Sequence, residues 1–272
     1  MMQIARSSNR LLLHESGHFY EIVGAEDTLG FGVGSVLGQL ESLQRGDEVM
    51  DIGELQSPFP RPSQIFAVGL NYKNHAAEMN LPLPVTPMVF GKFASCIADP
   101  NSDVVIPGET TDWEAELVIV IGESGRNISS ANALSHVAGY MVGQDVSERT
   151  VQMASTPAQF SMGKSFQNFA PMGPWFTSAS EVANPNDLLI QCSLNGVLMQ
   201  DESTEDMAFH VPEIIAFISS VCEVRTGDLI FTGSPAGVGQ GQNPKRFLRD
   251  GDVLTTSIEK LGTITNTFRG SN

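Results

Sequence analysis

Glu114 and Glu116 stand two residues apart in the run Asp112-Trp113-Glu114-Ala115-Glu116-Leu117-Val118-Ile119-Val120-Ile121-Gly122. The β-branched apolar stretch closed by glycine predicts a strand. Strand side chains alternate between faces, so the two glutamates point the same way, with Val118 and Val120 continuing that face. Neighbouring carboxylates at the mouth of an apolar face repel each other and are costly to bury unless something positive neutralises them. A divalent cation would do so, and all-carboxylate ligation favours Mg²⁺, Mn²⁺ or Ca²⁺ over Zn²⁺. The alternative is a strand end whose acids simply face water. Asp145, at the end of the apolar run beginning at Val137, would be the third carboxylate.

Five more positions carry chemistry. His75 and Glu78 are three apart in Asn71-Tyr72-Lys73-Asn74-His75-Ala76-Ala77-Glu78-Met79, a helix-forming piece with Asn71 or Asn74 available as cap. They share a helical face, and a carboxylate holding an imidazole is a general-base pair for a water. An exposed helical ion pair is the plainer alternative. Arg149 and Gln152 are likewise three apart, and Lys164 follows in Gly163-Lys164-Ser165. The segment around Lys164 approaches a phosphate-binding loop, but Ala158 stands where the first glycine is required and no apolar strand leads into it. A nucleoside triphosphate site is therefore not expected. The glycine-rich Gly233–Gly239 can offer backbone N–H groups to an anion.

The elements that must position these groups are mostly strands. Short strands are expected over Arg10–Leu13, His18–Val23, Ile65–Leu70, Met88–Lys92, Val137–Ser147, Gly227–Thr232, Asp252–Ile258 and Gly262–Phe268. Asn195-Gly196 predicts a tight hairpin. Pro212, with apolar residues at helical spacing after it, predicts a helix over Val211–Val221. A short helix is also expected over Gly34–Leu40. The proline-rich Ser57–Pro62 reads as a linker, dividing the chain into a small N-terminal domain over 1–57 and a catalytic domain over 58–272.

Composition sets the outer bounds. The chain has 272 residues, 41% hydrophobic and 17% charged, enough for a substantial core. A formal net charge of -16 without a basic patch argues against nucleic acid. Three cysteines without metal-type spacing point to a reducing compartment and no disulfide framework. With neither an apolar signal core at the start nor a membrane-length apolar run, a cytoplasmic protein free of membrane is expected.

Five motifs in register resemble the fumarylacetoacetate hydrolase family across roughly residues 60 to 268. They are V-G-L-N-Y-K-N-H-A-A-E at 68–78, D-W-E-A-E-L at 112–117, Q-D-V-S-E-R at 144–149, G-K-S-F at 163–166 and T-G-S-P-A-G-V-G at 232–239. The resemblance implies a mainly β protein with short helices (α+β), a mixed β-roll or β-sandwich preceded by a small N-terminal domain, and usually a homodimer. It makes Glu114, Glu116 and Asp145 the ligands of Mg²⁺ or Mn²⁺, with Ca²⁺ as a substitute in crystals. It makes His75 and Glu78 a water-activating dyad on a lid. Arg149, Gln152, Lys164 and Thr232 become substrate contacts, with Lys164 or Gln152 facing an oxyanion. Two departures stand out: Ser234 replaces the usual threonine and Gln144 the usual asparagine. The implied reaction is metal-dependent hydrolysis of a C–C bond in a small anionic 2,4-dioxo acid, an acylpyruvate, with a metal-stabilised enolate as leaving group. The same site also suits an isomerase, a tautomerase or a decarboxylase of oxaloacetate- or hydroxymuconate-type acids.

Overall fold

The computed structural model describes residues 2–25 and 30–270. The fold is mostly β, as expected. Its large sheet runs, from edge to edge, Gln44–Glu48, His18–Val23, Arg10–Glu15, Gln3–Ser7, Ala170–Ser178, Val137–Gln144, Ala115–Ile121, Leu229–Phe231, Ile65–Gly69 and Met88–Gly91. A second, five-stranded sheet runs Val197–Ser203, Leu189–Leu194, Val253–Ile258, Gly262–Gly270 and Asp103–Ile106. Every residue of Ala115–Ile121 is buried, because this strand is central in its sheet and covered on both faces. Val137–Gln144 and Ala170–Ser178 beside it pack against the five-stranded sheet. Gln144 crosses between the layers, donating from Nε2 to Thr256 Oγ1 at 2.7 Å.

Locally encoded elements lie where the sequence puts them. The helix spans Val211–Val221 with proline in its first turn, and buries Ile214, Ile215 and Ile218 on one side. Asn195 and Gly196 both take positive φ (52° and 78°), which a two-residue hairpin with the right-handed strand twist requires. Gly34–Leu40 forms two short 3-10 turns, Gly32–Ser35 and Leu37–Ser42, rather than a helix. The proline-rich stretch is packed, not extended through solvent: Phe59 is buried edge-on to Phe176, and Ser57 N–H donates to Asp99 Oδ1 at 2.7 Å. Gln3–Ser7 pairs with Ala170–Ser178, so the large sheet continues across residue 58.

The long strand expected from Asp112 is broken in two. Thr111–Asp112 pairs with Ser147–Glu148 in a separate ribbon, and the sheet strand begins only at Ala115. The break comes from side chains capturing backbone. Trp113 N–H donates to Asp112 Oδ1 at 2.9 Å, and Glu114 N–H donates to Gln144 Oε1 at 2.9 Å. Val137–Gln144 ends just before Asp145, whose N–H donates to Glu114 C=O at 2.9 Å. Both acids therefore sit at strand ends, where the chain turns out of the sheet. Among the described residues, no helix is long and apolar enough to cross a membrane.

Candidate active site

Glu114, Glu116 and Asp145 converge. Each offers an oxygen, and these atoms lie within 4.8 Å of one another with all three residues buried. Two features of the backbone bring them together. Glu114 precedes and Glu116 belongs to the central strand, and Asp145 N–H donates to Glu114 C=O at 2.9 Å at the end of the neighbouring strand.

Three buried cations meet these acids. Lys164 Nζ lies 2.6 Å from both Glu114 Oε2 and Asp145 Oδ2. Lys92 Nζ donates to Asp145 Oδ1 at 2.6 Å and also to Lys164 C=O. Arg149 Nη1 meets Glu114 Oε1 at 2.7 Å, and its Nε and Nη2 both donate to Asp112 Oδ2, at 2.9 and 2.7 Å. Asp112, Glu114, Glu116 and Asp145 thus outnumber Lys92, Arg149 and Lys164 by one.

The imbalance falls on Glu116. Burial, then the Asp145 and Glu114 charges, push its carboxyl well above the usual range. For Glu114, burial works in the same upward direction, but Lys164 and then Arg149 outweigh it and hold the group at about 2. Burial would lower Lys164, yet Asp145 and Glu114 raise it, so the ammonium keeps its proton. An all-oxygen donor set one positive charge short fits a hard divalent cation, and each carboxylate oxygen retains lone-pair capacity beside its present donor.

His75 and Glu78 lie on the Lys73–Glu78 helix, both largely buried, with His75 Nδ1 3.1 Å from Glu78 Oε2. The helix starts without a side-chain cap. Asn71 instead ties its own loop to the core: Nδ2 donates to Thr232 C=O at 2.7 Å and to Phe209 C=O at 3.0 Å. Arg149 and Gln152 share a face of the Arg149–Gln152 helix, with Nη1 donating to Gln152 Oε1 at 3.0 Å. His75, Glu114, Arg149, Gln152 and Lys164 all line one cavity of about 230 Å³. Thr232 does not. It is buried away from that wall with its hydroxyl donating to Leu117 C=O at 3.0 Å, and Ser234 occupies the cavity side of the loop.

The glycine-rich loop does hold anions, but they belong to the protein. Gly233 N–H donates to Glu116 Oε2 at 2.8 Å and Gly237 N–H to Glu78 Oε1 at 3.0 Å. Gly239 and Gln240 N–H groups donate to Asp112 Oδ1 and Oδ2 at 2.7 and 3.0 Å. A Cβ at Gly239 would sit 1.8 Å from Arg246 C=O and 2.6 Å from Asp112 Oδ1, so only glycine allows that approach. One loop thereby sets three site carboxylates.

Sequence reasoning passed over Lys92 and Asp112 in this role. Lys92 closes the apolar run Met88–Gly91, where a lysine reads as an ordinary strand end. Asp112 lies next to the glutamate pair, but its partners are distant in sequence.

Comparison with known proteins gives a consistent setting. The family model for fumarylacetoacetate (FAA) hydrolase C-terminal matches residues 64–269. A 2,4-didehydro-3-deoxy-L-rhamnonate hydrolase from Sphingomonas sp. (strain SKA58) is 46% identical over 203 residues, covering 74% of this chain and 71% of the relative. The mitochondrial oxaloacetate tautomerase FAHD2B of Bos taurus is 42% identical over 212 residues, covering 77% and 68%. The solved fumarylacetoacetate hydrolase of psychrophilic Exiguobacterium antarcticum superposes with a TM-score of 0.85 at 31% identity, covering 100% of both chains.

Proposed function

Starting from a chain that belongs to the fumarylacetoacetate hydrolase family, we propose a divalent-metal-dependent hydrolase that cleaves a C–C bond in a small 2,4-dioxo acid of acylpyruvate type. The observation that carries this reading is the His75–Glu78 pair, 3.1 Å apart, with His75 lining the same cavity as Glu114, Arg149 and Lys164. Decarboxylation needs a charge-stabilising site and a proton donor, and tautomerisation a base against a carbon-bound proton, whereas hydrolysis needs a base held against a water.

Glu114, Glu116 and Asp145 would hold Mg²⁺ or Mn²⁺, which supplies Lewis-acid stabilisation of negative charge at the 2-oxo acid end. Arg149 and Lys164 orient the substrate carboxylate. Glu78 is fixed by Gly237 N–H and accepts a hydrogen bond from His75 Nδ1, which leaves Nε2 as the basic nitrogen. Nε2 takes a proton from water as the oxygen adds to the distal carbonyl. Lys164 Nζ or Gln152 Nε2 faces the oxyanion that forms. Collapse breaks the bond between the distal carbonyl carbon and the adjacent methylene. The electron pair stays on the methylene carbon, which is then protonated, giving pyruvate and a carboxylate.

A second reading is an isomerase, tautomerase or decarboxylase of a 2-oxo dicarboxylic acid, supported by the similarity to the bovine tautomerase. His75→Ala separates the two. In the hydrolase reading it lowers acylpyruvate hydrolysis by about 10²–10⁴-fold while Mn²⁺ binding stays intact and oxaloacetate decarboxylation falls much less. A wild-type protein that tautomerises oxaloacetate and leaves every acylpyruvate untouched would replace the first reading with the second. The proposal carries a homodimer, checked by sedimentation. It also carries a cytoplasmic setting, for which the three free cysteines support a reducing compartment.

A further inference from the structure

The catalytic cavity has two unlike halves. Arg149, Lys164 and His75 gather at the carboxylate cluster. The apolar part of the lining includes Leu70, Met79, Leu81, Met88, Met153 and Phe160. Backbone geometry shapes this part. Gly69 has no side chain, and a Cβ there would lie 2.5 Å from Met88 Cε and 3.3 Å from Phe160 Cε2. Met88 and Phe160 therefore close directly over the main chain, and Phe160 is braced edge-on by Phe90 with centroids 5.5 Å apart. Toward the mouth the apolar surface meets water: Met88 is 37%, Leu81 50% and Met153 61% exposed.

Both guanidinium and ammonium in the cavity lining are already engaged at the carboxylate end. Among the described residues, the remaining polar lining is neutral: Gln152, Ser234 and Gln240. Gln152 Oε1 accepts from Arg149, and Ser234 Oγ accepts from Gln200 Nε2 at 2.8 Å. A second carboxylate placed against Met88 and Phe160 would face apolar side chains, while the cations of the lining, Arg149 and Lys164, are already paired with Glu114. An alkyl or aryl group there would instead cover apolar surface now facing solvent.

We propose that the substrate is a monocarboxylate whose distal acyl group is short, uncharged and apolar, and that Met88, Met153 and Phe160 select it. The inference rests on the reading of this cavity as the hydrolase site and names its substrate class. A volume of about 230 Å³ lies below the usual ~300–1,000 Å³ of small-molecule sites, which keeps the tail to a few carbons.

The test has a binding arm and a rate arm. In calorimetry on the Mg²⁺-loaded protein, 5-methyl-2-oxohexanoate and 2-oxoglutarate present the same shape with an apolar or a charged end. The expected result is at least tenfold tighter binding of the apolar acid. Equal or tighter binding of 2-oxoglutarate overturns the proposal, whatever reaction the enzyme catalyses. In the rate arm, kcat/KM across acetyl-, propionyl- and butyrylpyruvate is expected to rise about fourfold per methylene, with succinylpyruvate at least tenfold below butyrylpyruvate. A flat or falling series overturns the proposal. Failure to hydrolyse any acylpyruvate, with the binding preference kept, removes the hydrolase reading and leaves the apolar selection standing. Met88→Lys, at a partly exposed position, is expected to bring the two acids to within threefold in binding. An unchanged preference in that variant removes Met88 from the selection.

Discussion

Asp112 is the residue through which the arginine, the glycine-rich loop and the Lys73–Glu78 helix come into register. Its Oδ2 takes two donors from Arg149 and its carboxylate takes the Gly239 and Gln240 N–H groups, while the same loop donates from Gly237 to Glu78. Burial would lower the Arg149 pKa, yet Asp112 and Glu114 raise it, so the guanidinium stays charged and depends on both acids. Asp112→Asn keeps the shape and removes the charge. Breaking a buried pair on one side typically costs about 3–5 kcal/mol. The expected outcome is a loss of that order in urea denaturation, with a raised KM for substrate. Unchanged stability and KM would show that Asp112 is only filling space. The three carboxylates were legible in the sequence because alternation puts Glu114 and Glu116 on one face. Asp112 and Lys92 were not, since each acts through partners far along the chain, Arg149 and Asp145.

At the scale of elements, legibility follows locality. The Asn195-Gly196 hairpin and the Val211–Val221 helix are written in adjacent residues, through positive-φ chemistry and an N-terminal proline. The break before Ala115 is not, because Asp112 takes the Trp113 N–H beside it while Glu114 N–H goes to Gln144, 30 residues away. His14 shows the same limit. It sits buried opposite Gln3, holds Gln3 Oε1 at 2.8 Å through Nδ1 and stacks on Trp175 with centroids 3.8 Å apart. Burial lowers its pKa from the ordinary 6.5. The unfolded chain therefore takes up a proton below pH 6.5 that the folded chain resists, and stability falls as pH drops through that window. Denaturation at pH 7.5 and 5.0 should show wild type losing up to about 1.4 kcal/mol per pH unit from this group, and His14→Gln losing that component. Equal pH dependence in both would count against it. The lid makes a separate prediction. Residues 74–84 carry His75 and Glu78, and then leave Leu81 and Leu83 exposed. We propose that they close on ligand, so hydrogen-exchange protection should rise there with a bound 2-oxo acid and stay level in Val211–Val221.

For the whole molecule, the large sheet crosses the proposed boundary at 57/58. We propose that residues 1–57 are a small unit which does not fold apart from the catalytic domain. Gln3–Ser7 covers the Ala170–Ser178 strand, and a chain beginning at 58 would bare that edge. Such a chain is expected to aggregate, and the full chain to melt in one calorimetric transition. The charge balance makes a last prediction. A protein of net charge -16 gains some stability from any salt through screening, so a specific cation must be separated from ionic strength. Glu116 is the discriminating residue, because burial and its neighbours Asp145 and Glu114 oppose its ionisation. If the triad holds a divalent ion, Mg²⁺ or Mn²⁺ adds RT ln(1 + [L]/Kd), about 2.7 kcal/mol at a hundredfold excess over Kd. Sodium chloride at matched ionic strength should give much less. Glu116→Gln replaces a buried carboxyl whose ionisation its surroundings oppose with a neutral group of the same shape, so at neutral pH without added metal it should melt higher than wild type. With metal it should gain little. The two proteins thus exchange order as Mn²⁺ is titrated in. A variant that melts lower at every metal concentration, or a wild type that responds to sodium and manganese alike, would remove the triad as a cation site.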